Sequence, residues 1–196
     1  MTDEAHDTSV AVWDIPAPVV RDRPFRVKVG VVCSAECPLG GHEIAVHDGE
    51  GTSLARARLS DAPWPGTSAL YWMEVELHAP ASEGHQTWQV RCNADHSFAA
   101  SFSFIIDRQP EHAVTIEAID RAAGMPVERV ELHLGPYRAT TDGNGVATIA
   151  VPGGSYDVAV WKVGYEASPV TVAVEADITV RIDMHVVRRA EQPYWM

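Results

Sequence analysis

The chain has 196 residues, enough for one large domain or two small ones, and its 27 acidic against 15 basic side chains leave a net charge of −12. The deficit is even, with 8 basic and 15 acidic side chains in residues 1–108 and 7 and 12 in the rest. A protein that neutralises phosphates needs a cationic face, and the densest basic cluster here is Arg188-Arg189, so neither nucleic acid nor an anionic membrane is an expected partner.

Hydrophobic residues make up 46% of the chain, too many for a disordered one. No apolar run reaches the roughly 18 residues that cross a bilayer. The start, Met1-Thr-Asp-Glu-Ala-His-Asp, lacks the charged and apolar segments of a secretory signal. Three cysteines, an odd number, suit a reducing compartment better than a disulfide framework. The expectation is a cytoplasmic globular protein.

Strict alternation runs through the first hundred residues, the period of two that turns one face of a strand into a core. Phe25, Val27, Val29 and Val31 alternate with Arg26, Lys28 and Gly30. The pattern returns at Ile44 and Val46, over 54–59, at Tyr71 to Leu77, at Trp88, Val90 and Cys92, and from Phe98 to Ile106. With one short strand within 9–20 this predicts seven strands, punctuated by Pro38-Leu-Gly-Gly, Asp48-Gly-Glu-Gly, Asp61-Ala-Pro-Trp-Pro-Gly and Ala81-Ser-Glu-Gly. Seven short strands at this spacing read as an immunoglobulin-like β-sandwich over residues 1–108.

The pattern breaks at Asp107-Arg-Gln-Pro-Glu, and a second alternating series begins. It covers Val114 to Ile119, Arg129 to Leu134, Tyr137 to Thr141, Val146 to Val151, Tyr156 to Val163, Val170 to Val174 and Ile178 to Val187. Asp142-Gly-Asn-Gly between the third and fourth of these predicts a hairpin, since Gly and Asn tolerate the positive φ of tight turns. The fold class expected is all-β, two consecutive sandwiches at 1–108 and 112–187 followed by a tail at 188–196.

Five pieces of the second series carry a family resemblance. They are Val114-Thr-Ile-Glu-Ala-Ile-Asp, Met125-Pro-Val-Glu-Arg-Val-Glu-Leu, Thr140-Thr-Asp-Gly-Asn-Gly-Val-Ala, Val151-Pro-Gly-Gly-Ser-Tyr-Asp-Val and Lys162-Val-Gly-Tyr-Glu. In this order they resemble the carboxypeptidase regulatory-like domain, a prealbumin-like sandwich. The resemblance implies an architecture and a tendency to dock, with the Thr-Asp-x-x-Gly and Gly-x-Tyr pieces in structural roles and no catalytic centre. Zinc carboxypeptidases join such a domain to a much larger catalytic one, for which this chain has no room. Transthyretin-like hydroxyisourate hydrolases end in Tyr-Arg-Gly-Ser, whereas this chain ends Gln192-Pro-Tyr-Trp-Met196.

One cluster has chemical character. Cys33-x-x-x-Cys37, with His42 nearby, and Cys92-x-x-x-His96 fall at one end of a seven-stranded sandwich. Three thiolates and an imidazole suit zinc, or a softer ion such as copper(I). Cys33, Cys37, Cys92 and His96 are therefore the candidate metal or redox residues. Equally, Cys33 and Cys92 stand where immunoglobulin domains place their inter-sheet pair, and buried cysteine behaves as a small hydrophobe. His47-Asp-Gly-Glu50 mimics a metal-ligand pair but sits at a strand end entering a glycine turn. His78, His133 and His185 alternate with apolar neighbours and so face solvent.

Of the six tryptophans, Trp88 and either Trp72 or Trp161 are expected in cores or between modules. Trp64, flanked by prolines on a loop, has no evident core to enter, and Tyr194-Trp195-Met196 forms an apolar end. Exposed aromatics mark contact surfaces. Trp64, Tyr194, Trp195 and Met196 are the candidate partner-binding residues. Nucleophile elbows, phosphate-binding glycine loops and catalytic carboxylate pairs are not apparent. The function expected is a non-catalytic accessory or structural subunit binding partner proteins in a larger complex. A metal- or redox-linked protein and a carbohydrate-binding module are the alternatives.

Overall fold

The computed structural model describes residues 7–92 and 98–187, which form strands and their connections, with no helix among them. The chain divides after Arg108 into two compact units.

The first unit holds β1 (Thr8–Trp13), β2 (Val19–Val20), β3 (Pro24–Cys33), β4 (Glu43–His47), β5 (Ser53–Arg58), β6 (Tyr71–His78), β7 (Gly84–Cys92) and β8 (Phe98–Asp107). They form a sheet in the order β1-β3-β6 facing another in the order β2-β8-β7-β4-β5, an immunoglobulin-like sandwich. Alternation sets the inner faces: Phe25, Val27, Val29, Val31 and Cys33 of β3 are buried against Ile44 and Val46 of β4 and Trp88, Val90 and Cys92 of β7. Trp88 lies edge-on to Phe102 and Phe104 and beside Phe25, with ring centroids 4.8–6.3 Å apart. The tryptophan that antibody domains place after the first cysteine is thus replaced by one on β7.

One expectation needs correction here. The single strand predicted within 9–20 is two strands in different sheets, β1 antiparallel to β3 and β2 parallel to β8. Asp14 takes a left-handed conformation (φ 56°), and Pro16 and Pro18 follow it. Prolines cannot donate to a ladder, so the chain leaves the first sheet and enters the second.

The second unit holds β9 (His112–Asp120), β10 (Glu131–Leu134), β11 (Tyr137–Thr140), β12 (Val146–Val151), β13 (Gly154–Trp161), β14 (Tyr165–Ala167), β15 (Val170–Val174) and β16 (Ile178–Val186). The short β14 is an addition to the seven predicted. The sheets run β11-β10-β13-β15 and β12-β9-β16-β14, with β16 parallel to β9. This is a prealbumin-like sandwich. Val114, Ile116, Ala118, Ile182 and Met184 from one sheet and Leu132, Leu134, Val158, Val172 and Val174 from the other fill its core.

Asp142-Gly-Asn-Gly is not the hairpin predicted. The turn is as tight as expected, closed by Gly145 N–H to Asp142 O (3.0 Å) and Asp142 N–H to Val146 O (2.9 Å). Yet β11 and β12 are edge strands of opposite sheets, so it is an arch across the sandwich. Ala118 N–H of β9 donates to Gly145 O at 2.8 Å, drawing the outgoing chain into the second sheet before it can pair with β11. The Asp142 carboxylate accepts from Val146 N–H (3.0 Å) and Asn144 N–H (2.9 Å), which hold it below the usual carboxylate range.

Candidate functional site

Cys33 closes β3 on the inner face, and the chain then folds back in a turn with Glu36 N–H donating to Cys33 O at 2.9 Å. Glu36 adopts φ 54°, uncommon for a residue with a Cβ. Its carboxylate is tied by Ser68 Oγ at 3.1 Å. This reversal returns half-buried Cys37 to Cys33 and lets Leu39 enter the core. Burial raises the Cys33 thiol, but hydrogen bonds from the backbone N–H groups of Cys37 and Ala35 and from the Cys37 thiol outweigh it and hold Cys33 low. Cys37, as the donor in that thiol contact and itself partly desolvated, is pushed up. An open cleft of about 460 Å³ lies beside the pair, lined by Cys33, Ser34, Glu36 and residues 67–70.

Cys92 ends β7 in the facing sheet, buried in the same core, and none of the three cysteines is in a disulfide. Two of the three therefore occupy the inter-sheet positions of an immunoglobulin fold, while Cys37 is the partner that the turn gives to Cys33. Among the described residues no group of three or more His, Cys, Asp or Glu side chains is arranged to hold a metal ion. His96, the fourth candidate ligand, lies outside them.

Trp64 is packed within its own unit. Its ring stands edge to face with Trp13 (5.5 Å) and Trp72 (4.6 Å), and Lys28 Nζ sits 5.4 Å from its centroid. The three rings, each half-buried, cover the outward face of the β1-β3-β6 sheet. Gly30 makes this possible: a Cβ there would meet the Trp13 ring at 2.8 Å and Leu70 Cδ1 at 2.9 Å. Expecting Trp64 to lack a packing site overlooked this outer cluster, which forms only when β1, β3 and the 60–70 loop come together.

Trp161 reverses the other way. Tyr156, Val158 and Val160 take the inner positions of β13, so alternation sends Trp161 outward, and it is 60% exposed rather than core. It stands with Val163 (76% exposed), Val186 (55%) and Val187 at one end of the second sandwich. Backbone bonds assemble this end: Tyr165 N–H donates to Lys162 O (3.1 Å), Val187 N–H to Gly164 O (2.9 Å), and Tyr165 pairs with Val186. Lys162 Nζ reaches Glu128 O at 2.7 Å. Tyr194, Trp195 and Met196 lie outside the described residues.

Beside this apolar end sits Asp120, the last inward position of β9 after Val114, Ile116 and Ala118. A carboxylate in an apolar alternation was a signal that sequence reasoning passed over. Its Oδ1 accepts from Ala123 N–H (2.9 Å) and Ala122 N–H (2.8 Å), and its Oδ2 accepts from the Tyr165 hydroxyl at 3.3 Å. The Ala123 bond, with lesser help from Ala122, Tyr165 and the charge of His185, outweighs desolvation and holds Asp120 below the usual carboxylate range. Burial, then the neighbouring Asp120 charge, pushes the Tyr165 phenol up. A folded pKa below the unfolded one contributes stability that is complete above the unfolded value and is lost as pH falls through the folded one. Asp120→Asn should therefore melt below wild type at neutral pH, with the gap closing as the solution is acidified below the ordinary carboxylate range. Thermal midpoints of the two proteins that run parallel across that range would refute it.

The chain matches no protein-family model and no curated protein. Solved structures similar to it include the major pilin subunit BcpA of Bacillus cereus, with 9% identity, 92% of this chain and 71% of that one covered, and a TM-score of 0.33. Another is a CARDB domain from Pyrococcus furiosus in complex with di-metal ions, at 16% identity, 55% and 93% coverage and a TM-score of 0.40. A third is Escherichia coli alpha-2-macroglobulin, at 12% identity, 96% and 14% coverage and a TM-score of 0.42. The likeness at these identities is one of β-sandwich fold alone.

Proposed function

We propose that this protein is a non-catalytic accessory or structural subunit that binds a protein partner within a larger cytoplasmic assembly. The observation that carries the reading is the set of exposed apolar side chains at one end of the second sandwich among the described residues, Trp161, Val163, Val186 and Val187. These are large side chains on backbone that hydrogen bonds already hold in place, so a partner covering them meets little ordering cost. Each such side chain contributes about 1.5–3 kcal/mol when fully buried. The chain's net charge of −12 favours a partner of opposite net charge. The titratable groups with displaced pKa at this end, Asp120 and Tyr165, support the same reading, because they are engaged with each other and with backbone. The carbohydrate-binding alternative has less behind it, because Trp13, Trp64 and Trp72 stack edge to face rather than as a flat platform.

Cross-linking in native extract tests the proposal. Val163→Asp should keep the wild-type thermal midpoint and lose the protein adducts that wild type forms, while Leu54→Asp, an exposed position in the first unit, should keep them. Adducts retained by Val163→Asp would overturn the reading. So would a concentration-dependent homodimer abolished by Val163→Asp, which would give the surface to a second copy of the chain.

A further inference from the structure

We propose that Cys33 and Cys37 form a reversible dithiol switch, closing to an intramolecular disulfide when a small-molecule disulfide oxidant is present, with Cys92 a buried bystander. Three observations combine. The turn at Cys33–Glu36 returns Cys37 so that its thiol contacts Cys33 Sγ. The left-handed Glu36, held by Ser68, keeps that turn closed, and strain of this kind persists only where surrounding structure enforces it. Cys33 also lines an open cleft, and its neighbour Cys37 is half-buried rather than sealed in the core.

The chemistry balances as thiol–disulfide exchange. A thiolate of the pair attacks one sulfur of the oxidant and displaces its other half as a thiolate. The second protein thiolate then attacks the protein sulfur of that mixed disulfide and expels the remaining half. One S–S bond is consumed and one is formed. The two protons of the pair leave on two small thiols, so the oxidant is reduced by the two electrons that the protein gives up. Backbone N–H donors on Cys33 favour its thiolate, the form that exchange requires. Cys92, as buried as Cys33, ends β7 on the facing sheet.

The full chain, folded, is incubated with oxidised glutathione, then denatured in the presence of an alkylating agent, digested and mapped by mass spectrometry. The result expected is one alkylatable thiol in place of three, a Cys33–Cys37 linkage, and full reversal by dithiothreitol. Cys92→Ser should form the same bond, and Cys37→Ser should form none. Persistence of three free thiols would overturn the proposal, as would a Cys33–Cys92 linkage or bonds only between chains. Mapping of the wild-type protein decides the matter even if a cysteine variant fails to fold.

Discussion

Gly145→Ala is expected to destabilise the second sandwich by about 2–4 kcal/mol. Gly145 has φ +73°, where an L side chain is strained by about 1–2 kcal/mol. Its surroundings add a steric cost, because a Cβ would lie 2.7 Å from Ala118 O, 2.9 Å from Pro126 Cβ and 3.0 Å from Val127 N. These atoms belong to the backbone and to a rigid proline ring, and none can swing aside. Ala118 O is already the acceptor for Val127 N–H at 2.9 Å, so moving either group breaks a buried bond. Gly143, in the same turn, is the control, because a Cβ there would point into open space with nothing within 4 Å. Gly143→Ala should fall within a few tenths of a kcal/mol of wild type. Hydrogen exchange resolves the two units. Peptides from 112–187 should lose protection in Gly145→Ala while those from 8–107 keep it, and equal protection in both variants would sink the prediction.

Thr141→Val should cost about 3 kcal/mol although the two side chains are nearly the same shape. Thr141 is buried, and its hydroxyl accepts from Val130 N–H at 2.9 Å and donates to Val127 O at 2.8 Å. Arg129 N–H donates to Thr141 O (2.9 Å), and Thr141 N–H donates to Val130 O (3.0 Å). The threonine thus clasps 127–130, where Arg129 is left-handed (φ 53°) and the ladder of β10 has not yet begun. Valine leaves one N–H and one C=O buried without partners, each costing about 1–3 kcal/mol. Thr141→Ser keeps both bonds and loses one methyl, about 1 kcal/mol. Denaturant melts that rank serine no better than valine would show that volume, not hydrogen bonding, holds this clasp.

The two effects together bear on how the Thr-Asp-x-x-Gly piece works. Thr141-Asp-Gly-Asn-Gly145 carries three tasks in five residues: a clasp on 127–130, an Asp142 side chain that satisfies Asn144 and Val146 N–H, and a glycine against β9. The motif acts as the arch joining the two sheets, which agrees with the structural role that the resemblance implies.

What the sequence alone determined is what a period of two can encode. The inner faces of β3, β7 and β9, the break at 107–111 and the outward turn of His78 and His185 follow from local alternation, because a strand's side chains choose sides without reference to any partner. Trp161 belongs with them: alternation along β13 placed it outside, and only its size suggested a core. Asp120 was equally legible, as a carboxylate in an inward register. Tertiary structure decided which sheet each strand joins. Residues 8–13 and 19–20 part company, and β11 and β12 separate across the sandwich, because the choice is made by partners distant in sequence, such as β16 lying parallel to β9. It also decided the fate of Trp64, whose packing site is assembled from Trp13, Gly30 and Trp72 on three strands. The pairing of Cys33 with Cys37 stands between the two. The spacing is written in the chain, but whether four residues span a strand or a reversal depends on the left-handed turn at Glu36, which Ser68 from a distant loop holds in place.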